Sequence, residues 1–219
     1  SLRRLLSRVR EVVALSESDP ERARERLVAL AGRDTADLSP GQVRSAAVES
    51  LAENLADGLV APLSGFAVLV TVAALAGGGS AVALAAGVGG AAWIKAVNTL
   101  DSMLGYRDRP VGWAPARLDD AVMWLPARAS ALLIGLVALS PGALRRAAAW
   151  TGEVPSPNSG WPMGALAAVL DVRLEKPGAY VLNPGQPLPD AETGRVAVRQ
   201  VAVAGLVAYA LAAGVVAWS

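Results

Sequence analysis

Three carboxylates recur every four residues in the segment Glu49-Ser50-Leu51-Ala52-Glu53-Asn54-Leu55-Ala56-Asp57-Gly58. At about 100° per residue Glu49, Glu53 and Asp57 share an arc of about 80° on a helix, with Val48, Leu51, Leu55 and Leu59 opposite. Like charges four residues apart repel by a few tenths of a kcal/mol, so helix formation alone does not ask for this spacing. A divalent cation or a positively charged substrate would relieve it, hard oxygen ligands being what Mg²⁺ takes. The plainer reading is an acidic solvated face, but charge is costly beside the apolar run that follows. A second stripe, Lys95, Asn98, Asp101 and Ser102, spans about 120° of a helix whose other side is Val97, Leu100 and Leu104. Snorkelling explains Lys95 alone; with Asn98 and Asp101 it could hold a phosphate and its metal. Further on, Arg117 and Arg128 have the guanidinium fork that takes phosphate or carboxylate bidentately, with Asp119 and Asp120 as alternative internal partners. Last comes Val154-Pro155-Ser156-Pro157-Asn158-Ser159-Gly160-Trp161-Pro162, a turn-rich loop entering a helix at Pro162. Its amides, Ser156 and Asn158 could cradle an anion; by composition alone it is a rigid loop.

These side chains must be positioned by an apolar chain. Hydrophobic residues make up 53% of the 219 positions and glycine adds 22 more, past the roughly 45–50% usual for soluble domains. Residues 1–57 carry 19 of the 39 charged side chains. There the pattern predicts an amphipathic helix up to Leu30, reopened at Asp19-Pro20, ending at Gly32, and another from Gln42 to Asp57. The arginine- and glutamate-rich hairpin reads as solvated. No charge appears over the 37 residues from Gly58 to Ile94, enough for nearly two spans of about 20 with Gly77-Gly78-Gly79-Ser80 as the turn. The charge-free run from Ala129 to Leu144 has 16 residues, short for a span and suited to a tilted or re-entrant element, and Gln200 to Ser219 gives a clean 20. Trp93, Trp124, Trp150 and Trp218 lie at or near the ends of these runs, where indole rings favour the headgroups. The reading is an all-α, polytopic integral membrane protein, soluble and amphipathic over 1–57 and membrane-embedded over 58–219. Five Lys and Arg between Lys95 and Arg128 put that segment in the cytoplasm by the positive-inside rule. The arginines from Arg145 onward join it there if the 129–144 run is re-entrant. The expected location is the cell membrane, multi-pass, with the polar site facing the cytoplasm.

The chain has no cysteine and no histidine. Disulfides, thiolate nucleophiles, imidazole bases and histidine metal ligands are therefore excluded. A net charge of +1 without a basic cluster argues against nucleic acid, and no phosphate-loop or dinucleotide fingerprint is present. The opening Ser1-Leu2-Arg3-Arg4 starts an amphipathic helix rather than a signal peptide, and the lack of an initiator Met leads us to expect a fragment.

Read in order, Gly32-Arg33-Asp34-Thr35, Glu49-Ser50-Leu51-Ala52-Glu53-Asn54 with Asp57-Gly58 and Ala61-Pro62-Leu63, Lys95-Ala96-Val97-Asn98-Thr99-Leu100-Asp101-Ser102-Met103 with Gly105-Tyr106, Gly112-Trp113-Ala114 with Ala116-Arg117-Leu118-Asp119-Asp120, and Ser156-Pro157-Asn158-Ser159-Gly160-Trp161-Pro162 closely resemble the integral-membrane adenosylcobinamide-phosphate synthases of cobalamin biosynthesis. The likeness covers about residues 30–200. It departs in the loop before Ser156, where that family carries histidine, and in the family's earlier membrane segments, which would precede Ser1. The resemblance implies ATP-dependent amide ligation of adenosylcobyric acid to (R)-1-aminopropan-2-ol or its O-phosphate, with ATP and Mg²⁺ as cofactors. The implied partners are the corrinoid, the amine, the lipid bilayer and other cobalamin-assembly membrane enzymes.

On that footing Glu49, Glu53, Asn54, Asp57, Lys95, Asn98, Asp101, Arg117 and Asp119 are the catalytic candidates. Ser102, Tyr106, Arg107, Asp120, Arg128, Ser156, Asn158 and Trp161 are the substrate-binding candidates, Glu53, Asp57 and Asp101 the Mg²⁺ ligands, and Glu49 or Asp119 the base that deprotonates the amine. One polar cavity at the cytoplasmic surface, lined by Glu53, Asp57, Asn98, Asp101, Arg117 and Asn158, should gather them. A membrane sensor without ligase activity, or a small transporter, is the alternative from another class; loss of ATP and corrinoid binding, or solute flux without ATP turnover, would mark them.

Overall fold

The computed structural model describes residues 1–105 and 110–218. Helix α1 (Leu2–Ser18) stops at Asp19, whose carboxylate accepts the Arg22 amide hydrogen and so caps α2 (Pro20–Ala31), with Pro20 in the first turn where a missing N–H costs nothing. Gly32, at φ 55°, ends α2. The apolar edge of α1, Leu6, Val9, Val12 and Val13, is buried against α3 and α10.

A reciprocal capping box between Ser39 and Gln42 starts α3 (Pro40–Leu55). Instead of stopping near Asp57, the helix runs through one π-turn (Ala56–Val60) into α4 (Ala61–Leu75), giving 36 continuous residues. Pro62 supplies the physical reason. It has no N–H to donate and its ring would meet the carbonyl four residues back, at Gly58; the wider turn, closed by the Ala61 N–H on the Ala56 carbonyl, accommodates it.

Helix α5 (Ser80–Leu104) returns antiparallel to α4 after a turn at Gly77, φ 79°. The two pack along a glycine seam: a Cβ on Gly65 would stand 2.9 Å from the Gly90 carbonyl oxygen, and one on Gly87 2.5 Å from a Val70 methyl. Such close backbone approach is how membrane helices gain contact without a hydrophobic drive.

Helices α6 (Pro110–Val122) and α7 (Trp124–Val137) form a pair bent by 46°. The short charge-free run thus supplies the second half of a broken element, and Ala127, Ala131 and Ile134 are buried where it packs on its neighbours. Then follow α8 (Ala143–Trp150), a 3-10 turn, α9 (Gly160–Leu170), the antiparallel strands β1 (Leu174–Lys176) and β2 (Tyr180–Leu182), and α10 (Ala191–Trp218), capped by Asp190 accepting from the Thr193 amide and hydroxyl at 2.7 Å each.

Among the described residues three helices are long and apolar enough to cross a membrane, Pro40–Leu75, Ser80–Leu104 and Ala191–Trp218, and the bent pair makes a fourth if it is one span. Their outward apolar residues, such as Val72, Val88, Trp93 and Leu211, are exposed, as lipid-facing side chains must be. The all-α polytopic architecture is therefore present, with one small hairpin added. The close-packed core lies at the polar end, where Val9, Leu27, Leu51, Leu166, Leu174 and Val201 are buried together.

Candidate functional site

The acidic stripe divides between two environments. Glu49 is fully buried and its carboxylate is saturated: Ser45 Oγ donates to Oε1 at 2.9 Å, while Arg33 Nη2 at 2.8 Å and Tyr180 Oη at 2.7 Å both donate to Oε2. The base role expected of Glu49 does not suit this arrangement, because three donors already hold the carboxylate and the side chain is fully buried, with no face exposed to an amine. Burial of the Arg33 guanidinium opposes its charge, but the Glu49 charge and hydrogen bond, with Tyr180 and Glu53, together outweigh that and raise its pKa above the ordinary value. Burial, then the Glu49 charge, pushes the Tyr180 phenol far above its usual range, so it stays a donor. Arg33, Ser45 and Tyr180 were absent from the candidates. The Pro177-Gly178 turn was the available signal for the hairpin that brings Tyr180 in.

Glu53 sits between this network and the next, sensing Asp57 and Glu49 on its own helix and Arg33 and Lys176 across from it. Asp57, in the π-turn, faces the second stripe. There Lys95 Nζ donates to Asn98 Oδ1 at 2.8 Å, leaving the Asn98 amide nitrogen for the carboxylates of Asp57 and Asp119 beside it. Asp101 is a further negative charge felt by both, and Lys95 a positive one. Asp119 Oδ1 is buried with no hydrogen-bond donor. Ser102 spends its hydroxyl on the Asn98 carbonyl within its own helix. Tyr106 and Arg107 lie outside the described residues.

Asp120, next in sequence, opens the adjoining cleft. Its carbonyl accepts from Asn158 Nδ2 at 2.8 Å, and Arg128 Nη1 donates to Asn158 Oδ1 at 3.3 Å. The Arg128 guanidinium lies between two indoles, 4.2 Å from the Trp124 ring centre and 4.9 Å from that of Trp161; such cation–π contacts fix its plane. Arg117, Asp120, Arg128 and Trp161 line a cleft of about 440 Å³ walled by Gly152, Val154 and Pro155. Arg117 is mostly exposed and pairs only loosely with Asp120, at 3.8 Å. The Ser156 loop does not offer the expected cradle: Ser156 Oγ accepts from the amides of Asn158 and Ser159, so the loop consumes its own donors. Glu53, Asp57, Asn98 and Asp101 are not among the walls of this cleft; the residues expected in one cavity occupy two neighbouring places joined by the Asp119-Asp120 pair. Asn54 stands elsewhere, exposed beside α1.

Among the described residues no three carboxylates are placed to hold a metal ion on their own, so Glu53, Asp57 and Asp101 are not a preformed ligand set. Mg²⁺ that arrives on phosphate oxygens needs only one or two protein carboxylates, and Asp57 and Asp119 beside Asn98 are donors of that kind.

The fold and this site together define a multi-pass helical membrane protein whose charged chemistry gathers where its spans become polar. The chain belongs to the CobD/Cbib protein family, which matches residues 1–209. It is 39% identical over 196 residues to the probable cobalamin biosynthesis protein CobD of Methanothermobacter thermautotrophicus, covering 84% of this chain and 59% of that protein. It is 39% identical over 215 residues to the probable cobalamin biosynthesis protein CobD of Methanothrix thermoacetophila, covering 95% and 64%. To the cobalamin biosynthesis protein CobD of Klebsiella pneumoniae it is 39% identical over 197 residues, covering 86% and 55%. The chain thus spans between 55% and 64% of the length of these relatives. No solved structure matches it.

Proposed function

We propose that the whole protein catalyses an ATP-dependent amide ligation in cobalamin biosynthesis, joining the carboxylate of adenosylcobyric acid to the amine of (R)-1-aminopropan-2-ol or its O-phosphate. The observation that carries this reading is the junction at Asp119 and Asp120. A cleft lined by two arginines meets a carboxylate-rich cluster with a buried, unpartnered oxygen. Amide ligation needs that pairing, because one substrate end is a carboxylate to be activated with phosphate and the other is an ammonium to be captured and deprotonated.

ATP supplies the activation: the corrinoid carboxylate oxygen takes the γ-phosphoryl group, ADP leaves, and the amine nitrogen then displaces orthophosphate from the acyl carbon, losing a proton. Mg²⁺, accompanying ATP, would be held by Asp57 and Asp101 and would neutralise phosphate charge. Arg117 and Arg128 bind the phosphate oxygens, with Arg128 fixed in plane by Trp124 and Trp161. Asp119 holds the ammonium and takes its proton. Lys95 orients Asn98, which in turn positions Asp57 and Asp119. Glu49 has a positioning role through Arg33 and Tyr180. The site faces the cytoplasm of the cell membrane, where ATP is found and where the positive-inside rule places Lys95, Arg117 and Arg128.

The test is direct. Membranes containing the full-length protein, given adenosylcobyric acid, aminopropanol phosphate and Mg-ATP, should yield adenosylcobinamide phosphate and stoichiometric ADP by mass spectrometry. No amide product with either amine, from protein shown to be folded, refutes the ligase reading.

A further inference from the structure

The segment Gly32-Arg33-Asp34-Thr35 supplies no side chain to the arginine cleft or to the surroundings of Asn98, yet its backbone is firmly held. Gly32 turns the chain at φ 55°, Asp34 accepts the Ala36 amide hydrogen at 3.1 Å, and the buried Thr35 donates to the Arg24 carbonyl at 3.1 Å. Arg33 is thereby laid against α3, where its Nη2 donates to Glu49. Nε and Nη1 of the same guanidinium are buried and meet no acceptor among the described residues. Native proteins seldom leave buried donors so, because nothing replaces their hydration.

Glu53 lies one turn beyond Glu49 on α3, close enough to feel both Arg33 and Lys176 of the hairpin. It keeps a partly exposed edge, and among the described residues no donor reaches its carboxylate. Arg33 pairs with Glu49 and not with Glu53, so idle N–H groups and an idle carboxylate stand near one another with a gap between them. The loop at Arg33, α3 and the β1–β2 hairpin, which surround the gap, all belong to the described residues. Charge decides what fits there. A phosphate or a carboxylate would be opposed by Glu49, Glu53 and, a turn further on, Asp57, while an ammonium would be opposed by Arg33 and Lys176. A neutral group that accepts on one side and donates on the other suits both neighbours, and a primary carboxamide carries its C=O and NH₂ in a single plane.

We propose that Arg33 and Glu53 grip a primary carboxamide of the substrate. Its oxygen accepts from Arg33 Nε or Nη1, and its NH₂ donates to the Glu53 carboxylate. On the ligase reading, on which this rests, the group is one of the side-chain amides around the corrin ring of adenosylcobyric acid. The pair then selects an amidated corrinoid before its free carboxylate is activated, a specificity role separate from the chemistry at Asp57 and Asp119.

The test is equilibrium binding by the full-length protein in a mild detergent, without ATP or amine. The probes are cobyric acid and cobyrinic acid, in which carboxylates replace the amides, and bound corrin is measured by ultrafiltration and absorbance. The wild type should bind cobyric acid about tenfold or more tightly than cobyrinic acid, and Glu53→Ala and Arg33→Lys should each weaken cobyric acid binding about tenfold, the loss of one hydrogen bond to a charged group. Glu53→Ala should also erase most of the preference, because cobyrinic acid gains no hydrogen bond from Glu53 and is relieved of its repulsion. That variant should unfold as the wild type does, its side chain holding no protein hydrogen bond, so that lost binding is not lost fold. Failure of the wild type to retain cobyric acid, unchanged binding in both variants, or an undiminished preference in Glu53→Ala overturns the inference, even in a protein that still makes the amide product. A protein that binds as expected but makes no amide would sink the ligase reading alone.

Discussion

Arg33 and Glu49 form an ion pair whose side chains are 11% and 0% exposed, respectively. Removing one member of a buried pair costs about 3–5 kcal/mol, because the other charge is left without compensation. Glu49→Ala belongs at the upper end of that range: it strands Arg33 and also deprives Ser45 and Tyr180 of their acceptor, at about 1 kcal/mol each. Arg33→Ala belongs at the lower end, because Ser45 and Tyr180 still donate to the carboxylate. Additivity would put the double variant near 8 kcal/mol or more by these same magnitudes. It should instead cost about 4–5, since neither charge remains to be stranded, leaving a coupling of about 3 kcal/mol. Chemical unfolding of the four proteins in a mild detergent, followed by tryptophan fluorescence, measures the cycle. Additivity within about 0.5 kcal/mol would mean that the pair is solvated in the working protein and that the positioning role given to Glu49 is mistaken.

Tyr180 has a pKa raised above its unfolded value, so its contribution to stability is complete below about pH 10 and is lost as the pH climbs through the folded value. Wild-type protein should therefore lose up to about 1.4 kcal/mol per pH unit above pH 10 from this group, and Tyr180→Phe should show a shallower alkaline limb in the same unfolding assay. In the ligation assay Asp57→Asn and Asp119→Asn should each lower turnover about 10²-fold or more with unfolding unchanged; near-normal turnover in both would return the cluster to a surface role. Gly90→Val should weaken the α4–α5 pairing by about 1–3 kcal/mol or more, because its Cβ would press on the Gly65 carbonyl, and a folded yield equal to wild type would contradict the seam.

What the sequence made legible is what depends on short range. The Asp19-Pro20 start, the Gly32 stop, the turn at Gly77 and the spans on either side follow from capping chemistry, glycine and hydropathy, and the structure repeats them. The grouping of Glu49, Glu53 and Asp57 is likewise a matter of local spacing, and Glu53 does sense both of the others, although the π-turn that begins at Ala56 has no signal in the charge pattern. Glu49 looked available because its partners were invisible: Arg33 is 16 residues away and Tyr180 is 131 away, and no local pattern encodes pairing at such separations. Similarly, Ser156 and Asn158 are the right residue types for an anion cradle, and only the three-dimensional loop reveals that Ser156 is spent on its own neighbours.

The glycine seam between α4 and α5 bears on how the protein enters its membrane. The two helices are consecutive and joined by a turn of four residues, Ala76 to Gly79, so they can pair as soon as both have left the ribosome. Everything that must cross the bilayer in that event, from Gly58 to Ile94, is free of charge. A single charged residue held at mid-bilayer would oppose insertion by about 2.5–3.5 kcal/mol. Asp57 and Lys95, the first charges on either side, remain together at the face of entry. Pairing of α4 with α5 thus brings two of the polar groups to one another before any residue beyond α5 is needed, and the helices that follow, α6 to α10, have then to dock beside them.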